Sequence, residues 1–218
     1  TGIPSSFVVD KEGNLAWMGH PMGGLEEVVE KILAGTFDPK AEAAKAAKME
    51  AFGEQFQAAA RKGDWDAAIK LVDDMLADTP ESVKELGAVK FNIMLTQLKK
   101  YDDAYKYADT LAAGAFKDEA MNLGHLAFII LEEDGIEKRD LDRAMTYVTK
   151  ADTLTKHENP QVLSLLARAH QAKGNLNAAI DTLKGAIDKA SDRRLKLHLQ
   201  NTLEQYKKEL AGQTQLAV

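Results

Sequence analysis

The side chains that could carry chemistry in this chain are histidines and adjacent pairs of acidic residues. No histidine has a partner four residues away, and the five stand at His20, His125, His157, His170 and His198. Because a protein metal site needs three or four converging ligands, this spacing argues against a metal. Adjacent carboxylates such as Asp102 and Asp103 do not face each other on a helix. Solvated helix faces therefore explain these pairs better than acid–base catalysis does.

Composition excludes several further functions. The 218 residues contain no cysteine, which removes disulfides, thiolate metal sites and a cysteine nucleophile. A net charge of −6 argues against nucleic acid, because neutralising phosphates requires a basic face. No run approaches the roughly 18–20 apolar residues that span a bilayer. We therefore predict no catalytic residue, cofactor, metal or membrane span in this chain.

The first 40 residues predict a small α/β piece. Two apolar runs, Phe7–Val9 and Leu15–Met18, flank a turn cluster that contains Gly13, which predicts a β-hairpin. A helix with apolar residues at helical spacing follows over Leu25–Ala34, and residues 36–40 form a linker. The chain opens at Thr1 inside this pattern, so we expect Thr1 to be an internal point of a longer protein.

Residues 41–211 predict a repeated pair of helices. We expect helices over 41–62, 64–77, 81–98, 102–113, 118–133, 140–155, 159–173, 175–190 and 192–211, and a frayed tail over 212–218. The apolar anchors of the repeat lie 36, 40 and 35 residues apart, each followed three residues later by alanine: Trp65, Tyr101, Leu141 and Leu176. Such an anchor fills the gap between two helices, and the alanine allows their close approach.

This pattern resembles the tetratricopeptide repeat, and the resemblance implies an α-α superhelix of helical hairpins with a terminal capping helix. Lys99 stands where the second repeat would carry its turn glycine, and residues 132–139 insert into the third. In such stacks the first helix of each pair lines a concave face that binds a protein or peptide. Counting eight residues back from the anchors gives Gln57, Ile93 and Arg168 as partner-binding candidates. Across the insertion, His125 is the candidate of the third repeat, and Asn122, Ser164 and Gln171 lie nearby on the same stripe. A solvated face without a ligand is an equally good interpretation.

The stretch Gly2-Ile3-Pro4-Ser5-Ser6-Phe7-Val8-Val9-Asp10 and its hairpin resemble the closing part of a thioredoxin-like domain of the TlpA-like redoxins. The resemblance covers residues 1–35. It implies that Ile3 and Pro4 face a redox dithiol and contact a bound partner, and that the protein is exported, often to the periplasm. The Cys-x-x-Cys of that family is absent, and thiol–disulfide exchange needs a thiolate.

Two functions follow. The first is a protein-interaction module of a thiol–disulfide oxidoreductase whose catalytic half lies outside this chain. The alternative is a non-catalytic scaffold or assembly protein whose α/β piece is a degenerate remnant. The partner, the compartment and the oligomeric state stay open.

Overall fold

The computed structural model of the chain describes residues 6–19 and 25–216, without the side chains of residues 27 and 214–216. The chain divides into two compact units, residues 1–62 and residues 63–218. The described part is mainly helical, and its only strands form one antiparallel hairpin. None of its helices is long and apolar enough to cross a membrane.

The first unit contains the predicted hairpin and helix. Strands β1 (Ser6–Val9) and β2 (Leu15–Gly19) pair antiparallel, with Phe7 opposite Met18. Their turn needs a glycine, because Gly13 has a φ of +87°. Helix α1 spans Leu25–Ala34, as predicted, and helix α2 spans Pro39–Lys62.

The second unit is a succession of helix pairs joined by short connections. A 3₁₀ turn at Pro80–Ser82 precedes α4, and a π-helical turn at Ile93–Gln97 continues it. The helices are α3 (Trp65–Asp78), α4 (Val83–Asn92), α5 (Tyr101–Ala113), α6 (Ala120–Glu132), α7 (Leu141–Leu154), α8 (Pro160–Ala172), α9 (Leu176–Lys189) and α10 (Arg193–Leu216). These bounds agree closely with the predicted ones, except that α10 continues past its predicted end at residue 211.

Each predicted anchor is the first residue of its helix, α3, α5, α7 or α9. Side chains cap several of these starts: the Asp64 carboxylate accepts from the Ala67 N–H at 3.1 Å, and that of Asp140 accepts from the Arg143 N–H at 2.9 Å. The alanines that follow the anchors are completely buried, at 0% exposure: Ala68, Ala104, Ala144 and Ala179. This burial confirms why the repeat carries a small residue there.

Side chains also join each pair to the next at a separation of about one repeat. The Asn122 amide donates to the Lys84 carbonyl at 2.6 Å, 38 residues away along the chain. Arg143 reaches Asp109, 34 residues away, at 3.1 Å. The described contacts therefore show a stack of tetratricopeptide-like helical hairpins, in which each pair covers the apolar edge of its neighbour.

Hydrogen bonds fix the inserted residues 132–139 against α5 and the end of α6. The Tyr105 hydroxyl donates to the Lys138 carbonyl at 2.7 Å and accepts from the Asp140 N–H at 2.9 Å. The Arg139 guanidinium donates to the Glu133 carbonyl at 2.7 Å, beyond the end of α6. Helix α7 therefore still packs on α6 despite the additional residues.

The π-helical turn at the end of α4 changes which residues of this helix face outward in the α4–α5 pair. The Leu98 N–H donates to the Ile93 carbonyl, five residues back, so this turn holds one residue more than an α-helical turn. Counting eight residues back from Tyr101 therefore lands on Ile93, which is buried at 5% exposure. The half-exposed position at this level is Asn92.

Candidate functional site

An open groove lies between α6 and α8, the first helices of the α6–α7 and α8–α9 pairs. It encloses about 300 Å³. Helix α6 contributes one wall and α8 the other, because these helices pack side by side in the stack. We call it the α6–α8 groove, and its lining residues are Met121, Gly124, His125 and Phe128 on α6, and Gln161, Val162, Ser164, Leu165 and Arg168 on α8.

Two large apolar side chains at the groove are unusually exposed for a helix packed in a stack. Met121 is 58% exposed and Phe128 is 42% exposed. They lie seven residues apart on α6, hence on one face, with His125 between them. The His125 and Phe128 rings lie 6.4 Å apart between centroids. Exposed apolar side chains clustered at a concave surface are typical of interaction sites.

The floor of the groove contains Gly124, in the middle of α6. A Cβ atom placed there would meet only Leu165 Cδ2, at 3.8 Å, which is ordinary van der Waals contact. The surroundings of Gly87 on α4 are more crowded, because a Cβ atom there would lie 3.0 Å from Leu111 and 3.1 Å from Phe116. Packing is therefore tight at residue 87, whereas residue 124 has room for a Cβ atom, although glycine weakens a helix interior.

The charged group of the groove is the Arg168 guanidinium. Its Nη1 lies 2.8 Å from Glu132 Oε1, and both side chains are about one-third exposed, at 30% and 35%. None of the described residues that line the groove carries a carboxylate, and Glu132 itself does not line it. The groove is therefore mainly apolar, with a cation and an imidazole at its wall.

A second, more polar cavity continues beyond Arg168 toward α10. Arg168 lines both cavities, and Gln171, His198 and Tyr206 line only the second. The Gln171 amide donates to Glu209 at 3.3 Å, which joins α8 to α10. Burial raises the pKa of Tyr206, so its hydroxyl stays protonated at neutral pH.

The predicted partner-binding residues do not all converge. His125, Ser164 and Arg168 line the α6–α8 groove, and Gln171 lines the adjoining cavity. Asn122 lies beside the groove, and its amide is bonded to the Lys84 carbonyl.

The other candidates lie elsewhere. Ile93 is buried, so its side chain does not reach the surface. Gln57 is exposed on α2, in the first unit, where its amide oxygen accepts from Arg61 at 3.2 Å. Ile3 and Pro4 lie outside the described residues.

Six further lining residues were not among the predicted candidates: Met121, Gly124 and Phe128 on α6, and Gln161, Val162 and Leu165 on α8. The sequence offered one signal for two of them, because Met121 and Phe128 are apolar residues seven positions apart on a predicted helix. Apolar residues at this spacing more often belong to the core. Within residues 6–19 and 25–216, no three His, Asp or Glu side chains come together as a metal site.

No family model and no curated protein matches the chain. A solved structure described as a MamA RS-1 ArsTM double mutant is similar at 14% identity, with a TM-score of 0.47 over 75% of this chain and 96% of that one. A likeness this distant carries no argument about function, so the site rests on its own geometry.

Proposed function

We propose that this chain is a protein-interaction module that holds a short peptide segment of a partner in the α6–α8 groove. The observation that carries the proposal is the exposure of Met121 and Phe128 on either side of an open floor. Leaving large apolar side chains in water is unfavourable by about 25 cal/mol per Å². A partner that covers them recovers this free energy.

The form of the groove supports a peptide as the occupant. It runs between two helices and continues past Arg168 into a polar cavity, which suits an extended or helical segment that carries one apolar anchor and polar neighbours. Gln161 and Ser164 on α8 offer side-chain hydrogen-bonding groups along the wall. The α6–α8 groove also suits a scaffold protein, because scaffold proteins bind short peptide segments of their partners.

The proposal is tested by selecting a phage-displayed library of random dodecapeptides on the whole chain. Affinities of enriched peptides are then measured by calorimetry for the variants Met121→Ser and Phe128→Ser. Each substitution removes about 1 kcal/mol of apolar contact, which weakens binding about fivefold. Leu197→Ser is the matched control, because Leu197 is equally exposed, at 58%, and lies on α10 outside both cavities.

Two results contradict the proposal. One is the absence of any enriched peptide. The other is a set of enriched peptides whose affinity falls with Leu197→Ser and stays unchanged with Met121→Ser and Phe128→Ser.

We propose as a second function that the first unit belongs to a thioredoxin-like oxidoreductase that the helical stack serves. The hairpin supports this, because Phe7, Val9, Leu15 and Met18 are all at least 50% exposed. Cross-strand pairing places Phe7 beside Met18 and Val9 beside Leu15. A two-stranded sheet with an uncovered apolar face is marginal alone, so this face suits packing against the rest of a larger domain.

The sequence of the gene that encodes this chain tests that association. A Cys-x-x-Cys after a strand, encoded upstream in the same reading frame, supports an oxidoreductase. An upstream sequence without a dithiol contradicts it and favours the non-catalytic scaffold.

A further inference from the structure

We infer that the partner segment carries a large apolar side chain next to a carboxylate, and that Gly124 sets the depth to which the apolar side chain enters. This inference rests on the proposed function. It concerns the chemistry of the occupant of the α6–α8 groove and assigns a specificity-determining role to Gly124.

The first argument is the space at the floor. Gly124 lies in the interior of α6, where glycine destabilises a helix by roughly 0.5–1 kcal/mol relative to alanine. Neighbouring side chains do not require this glycine, because a Cβ would be in ordinary contact with Leu165 at 3.8 Å. The absence of a Cβ atom at residue 124 leaves the groove deeper between Met121 and Phe128. The depth suits a long aliphatic or aromatic side chain, whereas a small side chain would leave the floor empty.

The second argument is the charge of the wall. Arg168 and His125 face the groove, and the described lining residues include no carboxylate. The guanidinium carries five N–H donors in a planar fork, and the ion pair with Glu132 uses Nη1. A carboxylate of the partner therefore finds further donors on the same guanidinium. At the other end of α6, Lys84 and Glu119 are paired with each other, and neither of them lines the groove.

The dodecapeptide selection is therefore repeated on Gly124→Met and Ser164→Leu, which fill the groove from α6 and from α8. Wild-type selection should enrich Leu, Met, Phe or Trp beside Asp or Glu. Both variants should lose the large apolar residue from the enriched motif. Gly185→Met is the control, because Gly185 lies in the interior of α9 and a Cβ atom there would meet no other atom within 4 Å. Circular dichroism verifies that each variant is folded. If Gly124→Met does not fold, the result for Ser164→Leu alone decides whether the groove takes the large apolar side chain.

The carboxylate is tested with one enriched peptide and its Glu→Gln or Asp→Asn counterpart. Arg168→Gln should weaken the acidic peptide about tenfold and the amide peptide little, since a hydrogen bond to a charged group contributes about that much. Glu132→Gln is the control, because it breaks the same ion pair but leaves the cation free. It should bind the acidic peptide as tightly as wild type, or more tightly.

The outcomes separate the two proposals. If no peptide is enriched, the proposed function is wrong. If peptides are enriched and depend on Met121 and Phe128, the function stands. The inference is then overturned by a motif without the apolar and acidic residues, or by undiminished binding to the filled groove.

Discussion

Replacing Gly124 with alanine tests the assignment of this glycine to ligand binding and not to packing. The substitution removes a helix-interior glycine, which stabilises the fold by roughly 0.5–1 kcal/mol. The new methyl group contacts Leu165 at an ordinary 3.8 Å, so it introduces no overlap. We therefore expect the melting temperature to rise by about 1–4 °C in a thermal scan followed by circular dichroism.

Gly87→Ala is the matched control, because it makes the same change inside α4. Its Cβ would lie 3.0 Å from Leu111 and 3.1 Å from Phe116, which are 3% and 0% exposed and have little room to move. Overpacking costs about 1–3 kcal/mol, which outweighs the gain in helix propensity. The melting temperature should therefore fall. If Gly124→Ala lowers it as much as Gly87→Ala does, packing explains both glycines and the reasoning about the groove floor is refuted.

Three further measurements concern the stack. Tyr147→Phe should lower the free energy of unfolding in urea by about 1–2 kcal/mol, because the Tyr147 hydroxyl donates to the Asp109 carboxylate at 2.5 Å. Tyr107→Phe should leave this free energy unchanged or raise it, since the buried Tyr107 hydroxyl has no hydrogen-bond partner among the described residues. Ala144→Leu should cost about 1–3 kcal/mol by overpacking a fully buried position. Burial, aided by a nearby lysine, lowers the pKa of His170 below 6.5, so the unfolded chain binds the proton first and stability falls as the pH drops from about 7 to about 5. His170→Gln should flatten this dependence, and equal slopes for wild type and His170→Gln would contradict it.

Much of the helical stack could be predicted from the sequence, because its determinants are local. The anchors Trp65 and Leu176 and the alanines after them repeat at nearly constant spacing, and caps such as Asp64 fix where helices start. The hairpin followed from the turn glycine Gly13 between two apolar runs. These features depend on residues within one turn or one repeat of each other.

The candidate site could be predicted only in part, because it depends on register and exposure. A π-helical turn moved Ile93 into the core, and no spacing rule reveals one additional residue per turn. Phe128 stands in an apolar stretch typical of a core helix, and its sequence context does not reveal that it is 42% exposed. Gly124 resembles Gly87 in the sequence, and the two differ only in the atoms that surround them.

The most direct test of the peptide groove is a methyl NMR titration of the chain, labelled with ¹³C at its methionine methyl groups, with an enriched dodecapeptide. Met121 lines the groove, whereas Met18 is similarly exposed, at 50% against 58%, on the hairpin of the first unit. The peptide should shift the Met121 methyl resonance and give nuclear Overhauser contacts from it to an apolar side chain of the peptide. A peptide that binds and shifts the Met18 resonance, while Met121 stays unchanged, would contradict the groove as the binding site.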